Sequence, residues 1–323
     1  MKILFMGTPE FAVPSLRALF ENGYDIVGVV TQADRPKDRG YSMKAPPVKE
    51  FALAHQIPVF QPIKLSKEPQ VIDQLKALEP DLTVTCAFGQ LLPQSVLDIP
   101  KMGTINVHGS LLPRYRGAAP IQWSIINGDT KTGITTMFTD IGLDTGDMLL
   151  KEEISIPDDM TAGQLHDAMS CLGAETLIKT LAALETGTLQ RIKQDEAQAT
   201  YAPKIDKYTG HIDWSQTSRQ IHNLIRGTSP WPGAYTGLGD CRMRIWYSSL
   251  QESQTPGFCL VGNQVPGTIL ALDNTGIWVK TGDGVLLVSE IQVDSCKRMT
   301  PKQYACGHQL KEGMILGAYK TTC

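Results

Sequence analysis

Two polar residues stand at the end of an apolar stretch, in the segment Asn106-Val107-His108-Gly109-Ser110. On a β-strand, residues two positions apart point to the same face, so Asn106 and His108 can act together. An asparagine amide can donate to a developing oxyanion, and a histidine can move a proton near neutral pH. A Gly- and Pro-rich stretch follows as far as Pro120, and in open α/β sheets ligands bind at the carboxyl ends of strands. The pair therefore predicts a catalytic site, although a loop-capping asparagine and a core histidine would have the same spacing.

A third candidate is Asp144, in the segment Asp140–Met148 between two apolar stretches. Two glycines and three acids in so short a segment are typical of a tight turn. If Asp144 faces His108, its carboxylate can orient the imidazole and favour the protonated form. Asp140 and Asp147 fit the ordinary role of binding the amides of their own turn, and that role stays open for Asp144.

Two other enzyme classes fit the sequence poorly. Gly7-Thr8-Pro9-Glu10-Phe11-Ala12 follows the first apolar run but lacks the second and third glycines of a dinucleotide-binding loop. The sequence has no GxxxxGK[ST] loop either. Leu143-Asp144-Thr145-Gly146 occurs in aspartic proteases, but those enzymes need two such loops, and this sequence has one.

Strands and helices must alternate to position these residues. Thr8 is expected to cap a first helix that ends at Gly23, and a long helix is expected at about 161–185. Continuous apolar strands alternating with helices predict an α/β fold, a Rossmann-like, mostly parallel sheet with helices on both faces. The predicted strands are residues 2–7, 25–31, 58–60, 82–87, 104–108, 134–139 and 148–152.

The pattern changes after Gly187. Residues 188–210 are polar and predict a linker between a catalytic domain of residues 1–187 and a C-terminal domain of residues 211–323. In the C-terminal part, a short helix precedes short segments separated by turn residues, which predicts a small OB-like β-barrel. The predicted barrel strands are residues 242–247, 267–272, 276–280 and 285–293.

Length and composition agree with a two-domain protein. The 323 residues are 42% hydrophobic and 20% charged, an ordinary globular balance, and no run approaches the ~20 apolar residues of a membrane helix. The opening apolar run is too short for a signal peptide. Seven scattered cysteines without a CxxC pair fit neither a disulfide framework nor a zinc site, so a cytoplasmic protein with reduced thiols is expected. The net charge of −3 combines −6 over residues 1–202 with +3 over residues 203–323, which allows a polyanionic partner.

The runs NVHGSLLPRYRGAAPIQW and DIGLDTGDM together resemble the signature of the 10-formyltetrahydrofolate-dependent formyltransferases. The resemblance covers nearly the whole chain and is strongest to members that act on initiator methionyl-tRNA. It implies transfer of a formyl group from 10-formyltetrahydrofolate, as co-substrate and without a metal, to the α-amine of that tRNA. It also implies that Asn106, His108 and Asp144 form the catalytic set. The runs that carry it outside the signature are ILFMGTPEFAVPSL, TQADRPKDRG, YAPKIDKYTGHIDW and IRGTSPWPGAYT.

The resemblance further implies a folate-binding surface. The segment of Ser110, Leu111, Leu112 and Pro113 is similar to the folate-binding segment of the family, and its rigid backbone can face a flat pteridine. Three residues that follow the preceding strand can form another wall. These residues are Phe88, Gly89 and Leu92. For the two leucines, ordinary core packing is the alternative.

Basic residues are implied to bind the tRNA. The loop of residues 34–49 is similar to an insertion of the family that binds the tRNA acceptor end, and Arg39 matches an arginine of that insertion. Lys204 and Lys207 match basic positions of the family's linker. This chain departs from the family pattern at Lys37-Asp38 and Tyr41-Ser42 in the loop and at Tyr208 in the linker. The C-terminal candidates for phosphate contacts are Arg226, Arg242, Arg244, Lys297, Arg298 and Lys302.

Two alternatives remain from the sequence. One is formylation of a small amine such as an amino sugar, against which the basic loop and linker argue. The other is a catalytically idle tRNA- or folate-binding protein, against which the intact catalytic set argues. The family resemblance implies a monomer, and no membrane attachment is expected.

Overall fold

The computed structural model describes residues 1–37, 42–250 and 264–317. The chain is organised as two compact units built from interleaved segments. The first unit comprises Met1–Pro120, Lys131–Ile154 and His166–Ala202, and the second comprises Ile121–Thr130, Ser155–Leu165 and Pro203–Cys323.

Regular elements cover most of the described chain. The strands are β1 (Lys2–Gly7), β2 (Asp25–Val30), β3 (Arg35–Lys37), β4 (Ser42–Lys44), β5 (Val59–Phe60), β6 (Leu82–Cys86), β7 (Thr104–His108), β8 (Arg116–Gly117), β9 (Lys131–Phe138), β10 (Met148–Ser155), β11 (Tyr201–Ala202), β12 (Ala234–Leu238), β13 (Cys241–Ser249), β14 (Ile269–Leu272), β15 (Ile277–Lys280) and β16 (Val285–Val293). The helices are α1 (Val13–Glu21), α2 (Pro47–Ala54), α3 (Pro69–Ala77), α4 (Gln94–Leu97), α5 (Pro120–Ile126), α6 (Ala162–Glu185), α7 (Ser218–Gly227) and α8 (Pro301–Ala305).

The main sheet of the first unit has the strand order β10-β9-β7-β6-β1-β2-β5 in the described chain. The pairs β7–β6, β6–β1, β1–β2 and β2–β5 are parallel, whereas β9 runs antiparallel to β7. Strands β1 and β6 lie in the middle and are buried along nearly their whole length, as expected for apolar strands covered on both faces. The predicted α/β fold with a mostly parallel sheet is confirmed, and α6 matches the predicted long helix.

The first helix begins differently from the prediction. A 3-10 turn at Glu10–Ala12 precedes α1, and its N-cap is Pro9, without a side-chain cap. The Thr8 hydroxyl instead donates to the Phe88 carbonyl at 3.1 Å. The prediction that Thr8 caps the first helix was therefore wrong, because its hydroxyl links the loop after β1 to the loop after β6 by a hydrogen bond.

The second unit contains an antiparallel sheet of order β12-β13-β16-β15-β14. The two edge strands of this sheet are connected by one short segment near residue 316. Gly317 bridges to Gly237 in β12, and Ile315 bridges to Thr268 beside β14, so the sheet curves round towards closure. This agrees with the predicted small β-barrel domain. Alternating buried residues of β13, such as Met243 and Ile245, face its core.

Candidate active site

Asn106 lies near the carboxyl end of β7, next to Thr85 on the parallel strand β6. The Thr85 hydroxyl donates to Oδ1 of Asn106 at 2.8 Å, which fixes the orientation of the amide. Among the described residues, none accepts a hydrogen bond from Nδ2 of Asn106. The Asn106 amide is therefore oriented to donate to a bound molecule.

His108 ends the same strand and is 5% exposed. Its Nε2 lies 3.0 Å from the Tyr115 carbonyl oxygen, and its Nδ1 lies 3.7 Å from Oδ2 of Asp144. Because a carbonyl can only accept, Nε2 carries the proton of that hydrogen bond. Both ring nitrogens thus face oxygen atoms that bear negative or partial negative charge.

Asp144 approaches His108 from the loop between β9 and β10. Its backbone has φ of +53°, and its Oδ2 accepts a hydrogen bond from the Gly117 amide at 2.8 Å. The other two acids of the loop have different partners. Asp140 accepts from the Gly142 amide and the Thr145 hydroxyl within the loop, whereas Asp147 pairs with Arg191 at 3.0 Å. The structure brings Asp144, and not its two acidic neighbours, to the imidazole.

The segment of residues 110–113 is held by hydrogen bonds to β9 and β10. The Thr135 hydroxyl donates to the Ser110 carbonyl at 2.7 Å and accepts from the Leu112 amide at 3.1 Å. Lys151 donates to the Leu112 carbonyl at 2.5 Å. The Ser110 hydroxyl itself binds the carbonyl of Arg114 at 2.6 Å. The main chain of the segment is therefore fixed in one conformation.

The side chains of this segment differ in exposure. Leu112 is buried beside Met137 and Met148, so it packs in the core. Leu111 and Pro113 are half-buried. Of these residues, Leu111 and Pro113 retain apolar surface that a ligand can contact.

The loop after β6 provides the second predicted wall. Phe88 is 5% exposed and packs in the core, and its carbonyl accepts from Gln32 Nε2 as well as from Thr8. Gly89 has φ of +81°, and a Cβ there would lie 2.5 Å from the Gln32 amide nitrogen. Leu92 is half-buried against the same core. The side chains of Phe88 and Leu92 thus anchor the loop, and glycine is required between them.

A hydrogen-bond network that the sequence interpretation missed contacts the main chain of Asp144. Arg116 is completely buried and bonds to Gln194 and Glu196, and Gln194 in turn donates to the Asp144 carbonyl. The hydrogen bonds from Arg116 hold the pKa of Glu196 below its ordinary value. Arg116 lies within the run NVHGSLLPRYRGAAPIQW that carries the family resemblance. No local sequence pattern indicates Gln194, because it comes close to the site only in the folded chain.

The structure describes only some of the predicted tRNA-binding residues. Arg39 lies outside the described residues. Lys204 and Lys207 are exposed and belong to the second unit, and the Lys207 ammonium lies 4.9 Å from the centre of the Tyr208 ring.

Among the C-terminal basic residues, Arg226 was predicted wrongly as a phosphate contact. It is 5% exposed, and its guanidinium bonds to Asn223 and to the carbonyls of Pro157 and Met160. Burial lowers its pKa. Arg226 therefore fastens segments of the second unit together and presents no charge at the surface.

Several of the remaining arginines lie beside aromatic rings on the antiparallel sheet of the second unit, which we call the β-domain. Arg298 lies 4.9 Å from the Trp246 ring centre, and Arg242 lies 5.5 Å from that of Tyr235. Arg244 is paired with Tyr235 across β12 and β13. These arginines and rings together form an aromatic and basic surface.

In the described part of the chain, helix length and hydropathy nowhere reach what a membrane-spanning helix requires. Nor do the described His, Cys, Asp and Glu side chains gather in a group of three that could hold a metal ion.

Comparison with known proteins identifies the family. Residues 1–181 match the family model described as formyl transferase, and residues 204–309 match that of the formyl transferase C-terminal domain. The chain belongs to the formyl transferase family. A methionyl-tRNA formyltransferase of Acetivibrio thermocellus is 54% identical over 98% of this chain and the whole of that protein. One of Clostridioides difficile is 49% identical over the same shares.

Two solved structures share the fold of this chain. An N-formyltransferase from Helicobacter canadensis, in complex with folinic acid and dTDP-3-aminofucose, has a TM-score of 0.67 at 19% identity, covering 89% of this chain and 98% of that one. HypX from Aquifex aeolicus, in complex with tetrahydrofolic acid, has a TM-score of 0.59 at 17% identity, covering 94% of this chain and 46% of that one.

Proposed function

We propose that this formyl transferase moves a formyl group from 10-formyltetrahydrofolate to the α-amine of initiator methionyl-tRNA, giving the N-formylmethionyl-tRNA used to begin translation. The observation that carries the proposal is the free, oriented amide of Asn106 beside the His108–Asp144 pair. The proposal is supported by relatives that are 54% and 49% identical to this chain over 98% of its length and are named methionyl-tRNA formyltransferases.

Asn106 and His108 stabilise the charge that develops during transfer. 10-Formyltetrahydrofolate supplies the formyl group when bound, and the attacking amine leaves negative charge on the formyl oxygen. Asn106 Nδ2 donates to that oxygen, since Thr85 already holds Oδ1. His108, as an imidazolium, adds positive charge on the same face of β7. An α-amine has an ordinary pKa of about 7.7–8.0, and its esterification to the tRNA lowers that pKa, so the amine needs no further activation to attack near neutral pH.

Asp144 holds His108 and serves as its counter-ion. Its Oδ2 lies 3.7 Å from Nδ1, and the Gly117 amide keeps the carboxylate in place. The proton that the amine loses passes through this pair or through a water molecule to the folate nitrogen, as the bond from the formyl carbon to that nitrogen breaks and tetrahydrofolate leaves. Asn106, His108 and Asp144 are the catalytic residues of this proposal.

The folate contacts are assigned to the loops after β6 and β7. These parallel strands are neighbours, so their carboxyl-end loops lie at one edge of the sheet. The fixed main chain of residues 110–113 suits close approach by a flat ring, and Gly89 lets Gln32 pack against the loop that follows β6. Ser110, Leu112 and Phe88 act here by fixing the two loops in place, and Leu111, Pro113 and Leu92 contribute apolar surface.

The tRNA is assigned to Arg39, Lys204 and Lys207, together with the aromatic and basic surface of the β-domain. Binding through lysine and arginine gains free energy from the release of phosphate counterions, and aromatic rings can stack on unpaired bases. In this scheme residues 1–187 are the catalytic domain, residues 188–210 the linker and residues 211–323 the tRNA-binding domain. A cytoplasmic monomer stays a prediction from the sequence.

The test compares amine acceptors. Purified protein is mixed with 10-formyltetrahydrofolate and, separately, with charged initiator methionyl-tRNA, free methionine or a dTDP-linked 3-amino sugar. We expect N-formylation of the tRNA-bound methionine only. Formylation of the sugar amine in place of the tRNA would favour the small-amine alternative, and folate binding without transfer to any acceptor would contradict a catalytic role.

A further inference from the structure

Gln194 is a buried polar side chain in an otherwise exposed stretch. It is 5% exposed, whereas the three residues on each side of it are exposed. Burying a glutamine costs free energy unless its amide is fully hydrogen-bonded. The burial of Gln194 therefore needs an explanation in its partners.

Both the oxygen and the nitrogen of the Gln194 side-chain amide are hydrogen-bonded. Its Oε1 accepts from Arg116 Nε at 3.1 Å and from Arg116 Nη2 at 2.9 Å. Its Nε2 donates to the carbonyls of Asp144 and Gly146, each at 2.8 Å. Because a guanidinium only donates and a carbonyl only accepts, the amide has one orientation in this site.

Arg116 is fixed from its other side as well. Glu196 accepts from Nη1 at 2.9 Å and from Nη2 at 2.8 Å, and the arginine side chain is completely buried. The guanidinium thus cannot turn away from Gln194 without losing a bidentate pair.

Asp144 is the residue that this arrangement restrains. Its φ of +53° lies in the left-handed region, which non-glycine residues seldom occupy. The Gly117 amide holds its carboxylate and Gln194 holds its carbonyl. Two anchors on one residue determine where its Oδ2 meets His108.

We propose that Gln194, oriented by Arg116, is a positioning residue for catalysis that sets Asp144 against His108. This inference rests on the proposed function, since the role of Asp144 does. It extends the active site into the segment that follows α6, where none of the catalytic residues lies.

The decisive variant is Gln194→Glu. A glutamate keeps the shape and strengthens the pairing with Arg116, but it places an oxygen against the carbonyls of Asp144 and Gly146. We expect kcat for methionyl-tRNA to fall roughly 10- to 100-fold, as for a small misplacement of a catalytic group. The KM for the folate should change less than about two-fold, because the folate loops are untouched. Gln190→Glu, the same change at an exposed position nearby, is the control and should keep wild-type kcat.

A double-mutant cycle separates positioning from general damage. If Gln194 acts through Asp144, adding Gln194→Glu to Asp144→Asn should lower kcat by less than about two-fold. A purely structural role would lower kcat by the same factor in both backgrounds, and that result would overturn the proposal. Should Gln194→Glu fail to fold, as judged by thermal unfolding, the same cycle with Gln194→Met decides the question.

The outcomes also separate this inference from the proposed function. Wild-type protein that does not formylate methionyl-tRNA would refute the function. Wild-type activity accompanied by unchanged kcat in folded Gln194→Glu would refute only the positioning role.

Discussion

His108 Nδ1 lies 3.7 Å from Asp144 Oδ2, although the two residues come from a strand and a loop that are distant in the sequence. The imidazole is buried, and its other nitrogen bonds to the Tyr115 carbonyl. A carboxylate in this position can hold an imidazolium in one orientation. In the proposed mechanism, this pair supplies the positive charge that stabilises the oxyanion.

Asp144→Asn should lower kcat for formylation of methionyl-tRNA by about 10²-fold or more, because the amide cannot act as counter-ion to His108. The substitution keeps the side-chain shape and an oxygen for the Gly117 amide. Steady-state kinetics against Asp140→Asn, a change in the same loop, provides the comparison. Equal losses in both variants would mean that the loop conformation matters and the charge of Asp144 does not.

Thr85→Val should lower kcat roughly ten-fold, in the range of a weakened oxyanion donor. The hydroxyl that orients the Asn106 amide would be lost, while the volume of the buried side chain is kept. Thr83→Val on the same strand is the matched control, because the Thr83 hydroxyl is buried without a hydrogen-bond partner among the described residues. Thr83→Val should keep full activity, and a similar kcat in the two variants would argue against the role of Thr85.

Local sequence patterns predicted some residues of this site and missed others. The two-residue spacing placed Asn106 and His108 on one face, because that signal is local. The acidic turn made Asp144 a candidate, and the resemblance to the formyltransferases implied its role. Gln194 was missed because its partners lie far away in the sequence, and apolar periodicity says nothing about a buried glutamine. Similarly, Arg226 looked like a surface cation because its burial depends on tertiary packing. The antiparallel direction of β9 was also not readable from its apolar residues.

Arg39→Ala should raise the KM for methionyl-tRNA and reduce the salt dependence of tRNA binding by about one unit of log–log slope, as for one lost phosphate contact. The KM for the folate should stay within about two-fold of wild type. Lys67→Ala, at an exposed position in the first unit, is the control. An equal rise of both KM values in Arg39→Ala would indicate misfolding, and an unchanged KM for tRNA would refute the contact.

His222 should make the stability of the protein fall in mildly acidic solution. Its Nε2 donates to the Asp158 carbonyl, its Nδ1 lies 2.9 Å from the Ser248 hydroxyl, and burial holds its pKa below the ordinary value. The unfolded chain then binds a proton at higher pH than the folded one. The contribution of His222 is therefore complete above about pH 6.5 and is lost as the pH falls towards the lowered folded pKa.

Thermal unfolding between about pH 5 and 7.5 tests this dependence. His222→Gln should show a smaller decrease of the unfolding temperature towards low pH than wild type. His211→Gln, at an exposed position of the same unit, should retain the wild-type dependence. If both variants follow the wild-type curve, protonation of His222 does not limit acid stability.

The most direct test of the account compares wild type and Asn106→Ala in the formation of N-formylmethionyl-tRNA from 10-formyltetrahydrofolate, with both substrates saturating and tRNA binding measured in parallel. We predict rapid formylation by wild type and a kcat reduced about 10²- to 10³-fold in Asn106→Ala, with tRNA binding retained. Near-normal turnover by Asn106→Ala would contradict the assignment of its amide as the oxyanion donor. Absence of formylation by wild type would contradict the function itself.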